Sequence, residues 1–149
     1  METLRDSIEI KTTPEVLFKC LINIFSSEEN YRAWHRDHVT CQWIKGDAFE
    51  KGSILYMEEY LHGELHKMKC LATNYEPNRT IEYKLLFPVS IICPKGSFAI
   101  EQKEKNCTFT ATLYFRFSKI FSLFDKRRKE ALEKHMKEEG ENLKKLLET

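Results

Sequence analysis

The chain has 149 residues, 42% of them hydrophobic, with 24 Lys and Arg against 23 Asp and Glu; that is enough for one core and one domain over residues 1–149, and too little for two. A net charge of +1 supplies no broad field to gather polyanions, so neither nucleic acid nor a membrane is an expected partner. Five scattered cysteines, with no C-x-x-C pair and no preceding signal-peptide pattern, read as reduced thiols of a cytoplasmic monomer or homodimer, and no apolar run approaches the ~20 residues of a spanning helix.

Along the chain, "LRDSIEIKT" alternates loosely and predicts a strand. It runs into "TPEVLFKCLINIF", where Thr13 can cap a helix and Pro14 can occupy its first turn. "SSEENYRAWH" repeats the start signal with Ser27 and two glutamates, predicting a second short helix that ends near "WHRDH". From 39 to 118, apolar alternation punctuated by Gly46, Gly52, Gly63 and Pro77-Asn78 predicts six strands. Everything beyond Ser118 is charged and helical, one long helix interrupted only at Gly140.

Two segments bring ionisable side chains toward an interior. If His62-Gly63 is a two-residue turn, "ILYMEEYLHGELHKMKCL" pairs Leu61 with Glu64, Glu59 with His66, Met57 with Met68 and Leu55 with Cys70 on one face. The other face pairs Glu58 with Lys67 and Tyr56 with Lys69, so the first face is the inward one and carries Glu59 beside His66. A one-residue slip would turn both outward, and a place at the wet rim of the sheet is the competing reading. On the last helix, counted in steps of about 100° from Phe124, Leu132, Leu143 and Leu146 form the apolar stripe, Glu139 falls at its centre near ~60° and His135 one turn earlier near ~20°. A carboxylate buried without a partner costs several kcal/mol, so Glu139 should share a cation with His135, unless Gly140 unwinds the helix and frees it into water. Tyr83 belongs to the inward set with Ile81 and Leu85, and Phe109, Leu113, Phe115 and Phe117 line one face of the last strand. The expected cavity wall is thus Leu55, Met57, Met68, Cys70, Phe109, Leu113, Phe115, Leu132 and Leu143. Trp34 and Trp43 are expected to pack helices on the sheet.

The order strand, two helices, six strands, long helix, with Trp43, Gly46, Phe49 and Gly52 in a spaced "W..G..F..G", resembles the helix-grip superfamily of START domains, Bet v 1 allergens and polyketide cyclase-like proteins. That resemblance implies an α+β fold in which a curved, seven-stranded antiparallel sheet wraps the C-terminal helix around an apolar cavity. A narrower similarity is to the diacetylphloroglucinol and phloretin hydrolases, resting on "YRAWHRDHV", the inward Glu59 and the His135-x-x-x-Glu139 pair. It implies a divalent metal, zinc above all, held by His35 or His38, Glu59, His135 and Glu139, with His66 standing in for a late-sheet histidine that this chain lacks. Imidazole and carboxylate together are a usual zinc, iron or manganese ligand set. Such an ion would activate water and polarise a ketone, with Glu59, His66 and Tyr83 serving the reaction. The expected function is a metal-dependent hydrolase or lyase acting on a small hydrophobic, aromatic ketone. The alternatives are a non-catalytic carrier of a small hydrophobic molecule and a protein-interaction domain using the charged last helix.

Overall fold

A computed structural model describes residues 2–116 and 126–148. Strand β1 (Glu2–Ile10) leads into helices α1 (Pro14–Ile24) and α2 (Glu28–Trp34); strands β2 (His38–Lys45), β3 (Ile54–Leu61), β4 (Glu64–Glu76) and β5 (Thr80–Leu85) follow. A single 3₁₀ turn (Val89–Ile91), β6 (Lys95–Lys103), β7 (Asn106–Phe115) and helix α3 (Lys126–Glu148) complete the order. Every strand pairing is antiparallel, in the order β1-β7-β6-β5-β4-β3-β2. This is the expected α+β helix-grip architecture, a curved seven-stranded sheet around a long terminal helix. The expected start of that helix, including Phe124, and Phe117 of the last strand lie outside the described residues. Among the described residues no helix is long and apolar enough to cross a membrane, and all five cysteines are free thiols.

The helix starts follow from their caps. The Thr13 hydroxyl accepts the Val16 amide at 3.3 Å with Pro14 behind it, and Ser27 accepts the Asn30 amide at 3.1 Å; each satisfies a donor that the first turn leaves open. The β3–β4 register is the expected one at every pair from Leu61↔Glu64 to Leu55↔Cys70. Its turn works because His62 and Gly63 both take positive φ, 54° and 75°, which a tight right-twisted hairpin demands.

One position differs from the sequence reading. Helix α3 runs through Gly140 without a break. Gly140 is buried, and a Cβ there would sit 3.3 Å from Ile8 and 3.2 Å from Asp6; glycine lets the helix press onto β1 instead of bending it. Because the helix is continuous through Gly140, Glu139 keeps its place on the inward face. In addition, β2 carries a bulge: His38 pairs with Glu59 but Thr40 pairs with Glu58, so Val39 is an inserted residue. Strict alternation from the buried Cys41 opposite Met57 would bring Val39 inward. The bulge brings His38 there instead.

Candidate metal centre and ligand cavity

Four side chains from three parts of the chain converge between the sheet and α3. His38 begins β2, Glu59 lies opposite it on β3, and His135 and Glu139 are one turn apart on α3. His38 Nε2 is 2.9 Å from Glu139 Oε2, 3.3 Å from His135 Nε2 and 3.5 Å from Glu59 Oε2; His135 Nε2 is 3.2 Å from the same Glu139 oxygen and 3.7 Å from the same Glu59 oxygen. One ligand atom from each thus faces a common point, and these four residues could hold a metal ion.

Neighbouring groups fix the orientation of each. The His38 Nδ1–H donates to the Tyr31 carbonyl at 2.9 Å, which turns Nε2 toward the centre and fixes it there. The Tyr31 ring stacks on His38 at 4.0 Å with 5° between planes, while its hydroxyl donates to Glu59 Oε2 at 3.0 Å. Trp34 Nε1–H donates to the Glu139 carbonyl at 3.0 Å and Asn142 donates to the Trp34 carbonyl at 2.8 Å, so the end of α2 is tied to α3 on either side of the centre. The sequence reading assigned Tyr31 no role. Its signal was its place in "YRAWHRDHV", seven residues before His38, a separation that only the folded α2–β2 turn converts into contact.

Burial and charge act strongly on this cluster. Burial pulls the His135 imidazole down, but Glu139 and Glu59 more than offset it and hold it at about 9. Burial raises Glu139, yet His135 and His38 hold it well below the usual carboxylate range. Tyr31 is pushed well above its usual value by burial and then by the two carboxylates. The pole of the cavity is therefore an acid pair demanding positive charge, supplied by a proton or by a metal cation.

His35 is as buried as His38, at 2% against 3% exposure, but is turned to a different set of partners. Its Nδ1 accepts the Asp37 amide at 2.9 Å and its Nε2 meets Glu138 at 3.3 Å. Burial, followed by the neighbouring His135, lowers its pKa, and the ring serves as a neutral bracket beside His135, 4.2 Å away between centroids. His66 lines the cavity opposite Glu59, yet it is not among the four converging residues; its half-open ring leans toward exposed Glu64, 4.0 Å away. The row His38, Glu59, His66 crosses three strands on one face. Only its first two members belong to the group of converging ligand atoms.

The cavity has a volume of about 400 Å³ and runs from this pole along the inside of the sheet. Met57, Met68, Leu113, Phe115 and Leu132 line it as expected. Leu55, Cys70, Phe109 and Leu143 also point inward, but they sit at 0%, 3%, 2% and 0% exposure in the packed core and do not line the cavity; alternation assigns a face, and the depth along that face depends on where α1, α2 and α3 cover it. Val89 of the 3₁₀ turn and Ile92, the residue just after it, also border the cavity, and no periodicity in the sequence marks them. Tyr83 lines it as well, with its ring against Gly96, where any side chain would collide with it. Burial holds the Tyr83 hydroxyl well above its usual pKa, and Cys70 is pushed up to about 12 by burial, which removes it as a thiolate nucleophile at neutral pH.

The architecture and an apolar cavity under the terminal helix define a helix-grip, hydrophobic-ligand-binding class of domain. The family model described as polyketide cyclase / dehydrase and lipid transport matches residues 1–148, and the chain belongs to that family. Among solved structures it is similar to the Zhui aromatase/cyclase of a Streptomyces species (12% identity, 99% of this chain and 93% of that one, TM-score 0.73). It is also similar to Ara h 8.0201 (11%, 98% and 97%, TM-score 0.72) and to major latex-like protein 151 of Panax ginseng (12%, 98% and 97%, TM-score 0.68). At such identities these likenesses establish the fold alone. No curated protein matches the sequence.

Proposed function

We propose that the protein binds a small hydrophobic, aromatic ketone in its cavity and acts on it as a metal-dependent hydrolase or lyase, with one divalent ion, zinc by preference, held by His38, Glu59, His135 and Glu139. The observation that carries this reading is a set of distances. Ligand atoms ~2.0–2.1 Å from a tetrahedral zinc stand about 3.3 Å from one another. Five of the six separations among the ligand atoms of His38, His135, Glu139 and Glu59 range from 2.9 to 3.7 Å around that value, and the sixth, between the two carboxylates, is within 4.8 Å. The donor chemistry agrees: two imidazole nitrogens, one turned toward the centre and fixed there by the Tyr31 carbonyl, and two carboxylates.

The ion would supply Lewis acidity and a lowered pKa for water. The chain's own groups supply position and protons. Met57, Met68, Leu113 and Phe115 hold an aromatic body by burial alone, so they select shape and not polarity. Tyr83, kept protonated by its surroundings, donates a hydrogen bond to a ring oxygen. His66, opposite Glu59 and open to water on one side, exchanges the proton that the leaving carbon needs. In the balanced reaction water adds to the carbonyl carbon, the aryl–carbonyl bond breaks, the aryl carbon takes a proton, and a phenol and a carboxylic acid leave.

The test is metal analysis of the purified protein joined to an assay of acylphenols for acid release. One equivalent of zinc with turnover supports the proposal; zinc without turnover on any acylphenol removes the hydrolase and keeps the site. A second reading, a non-catalytic carrier, is favoured by the apolar lining of the cavity and by the lipid transport named in the family description. It predicts an aromatic or lipid molecule bound without turnover and no dependence on metal.

A further inference from the structure

Among the described residues, one buried side-chain polar atom has no hydrogen-bond partner: His135 Nδ1. The ring is 4% exposed and its other nitrogen faces Glu139, Glu59 and His38. When Nε2 serves as a ligand the ring is neutral and its proton sits on Nδ1, a buried donor that costs free energy until an acceptor takes it. The candidate acceptors are few. His35 Nδ1 already accepts the Asp37 amide, and its Nε2 faces Glu138. The carboxylate of Asp37 remains: one of its oxygens, a His35 ring nitrogen and a His135 ring nitrogen all lie within 4.8 Å of one another. Among the described residues its carboxylate makes one ion-pair contact, with His35 Nδ1 at 3.9 Å, and its side chain is 41% exposed, so it has room to turn.

We propose that Asp37 is the positioning residue of the centre, its carboxylate accepting Nδ1–H of His135 and thereby holding Nε2 toward the other three ligand atoms. This rests on the metal reading above and gives "WHRDH" a divided role. His38 faces the ion, Asp37 stands behind the opposing histidine, and His35 braces the ring between them through its contact with His135. A carboxylate in this place raises the basicity of the ligand ring and locks its tautomer, and loss of such a partner typically lowers metal affinity 10- to 100-fold.

The experiment is a zinc affinity measurement by chelator competition on the wild type, Asp37→Ala and Asp37→Asn, with the histidine ¹⁵N–H spectrum of each zinc-loaded protein. The expected result is a ~10- to 100-fold weaker zinc complex for Asp37→Ala, with the slowly exchanging Nδ1–H resonance of His135 lost or shifted upfield. Asp37→Asn, which keeps the shape and an acceptor oxygen without the charge, falls between. Wild-type affinity in Asp37→Ala, with an unchanged Nδ1–H resonance, overturns this inference and leaves the zinc site standing. A second zinc per chain, placing Asp37 and His35 among direct ligands, also overturns it. A wild type that binds no zinc overturns the metal reading and this inference together.

Discussion

The two ends of the cavity use the same residue types under opposite conditions. At the pole, His38 and His135 meet Glu59 and Glu139 with side chains no more than 15% exposed. At the mouth, Glu64 meets His66 and Arg128 with side chains 36% to 51% exposed. Water screens the mouth pairs, so each contributes about 0–1 kcal/mol and fixes little. At the pole desolvation makes every unpaired charge expensive, so the arrangement is tolerable only with compensating positive charge and a full set of hydrogen bonds. Burial, and not residue type, separates a site from a surface.

The largest effect should come from breaking the pole. Glu139→Ala removes the carboxylate closest to both histidines; zinc content should fall from one equivalent to none, and metal-free stability should drop by ~3–5 kcal/mol, as read by urea unfolding. Glu59→Gln should weaken zinc about 100-fold while leaving the fold intact, because Tyr31 can still donate to the amide oxygen; isothermal titration checks it.

The pH response should follow from the same pair. The folded-state pKa of His135 is raised from 6.5 to about 9, so its contribution to metal-free stability is fully present below the unfolded value and fades as pH rises through about 9, a total of a few kcal/mol. Zinc, which displaces that proton, should stabilise more at pH 9 than at pH 6.5. Urea midpoints at both values, with and without zinc, measure the opposing slopes; His135→Gln should flatten the metal-free one.

Smaller effects belong to the apolar wall and the mouth. Leu113→Trp, which fills the cavity from β7, should abolish binding of an apolar fluorescent probe and leave zinc affinity within about twofold, since Leu113 lines the cavity but supplies no ligand atom. Glu64→Ala, which removes the exposed partner of Arg128 at 2.9 Å, should change stability by no more than about 0.5 kcal/mol. A large loss there would erase the contrast between the two ends.

What could be read before folding divides along physical lines. The β3–β4 hairpin was legible because a turn needing two positive φ values pins the register, and a period of two then assigns every face. Glu139 was legible because a carboxylate centred on an apolar stripe is costly and therefore informative. The choice between His35 and His38 was not, since it hangs on the bulge at Val39, a one-residue insertion that reverses the parity of β2. Nor was the depth of Leu55, Cys70, Phe109 and Leu143, or the lean of His66 toward Glu64; both depend on which helix covers which stretch of sheet. Gly140 misled in a physical way as well: its missing side chain reads as a break, while the structure uses it for close approach to Ile8.

The central claim, that four buried ligand atoms form a cation site, is most directly tested by titrating metal-stripped protein with zinc in a calorimeter beside the His38→Ala variant. The account predicts one tight site per chain in the wild type and its loss in the variant. Heat of binding indistinguishable between the two, or none in either, would contradict it.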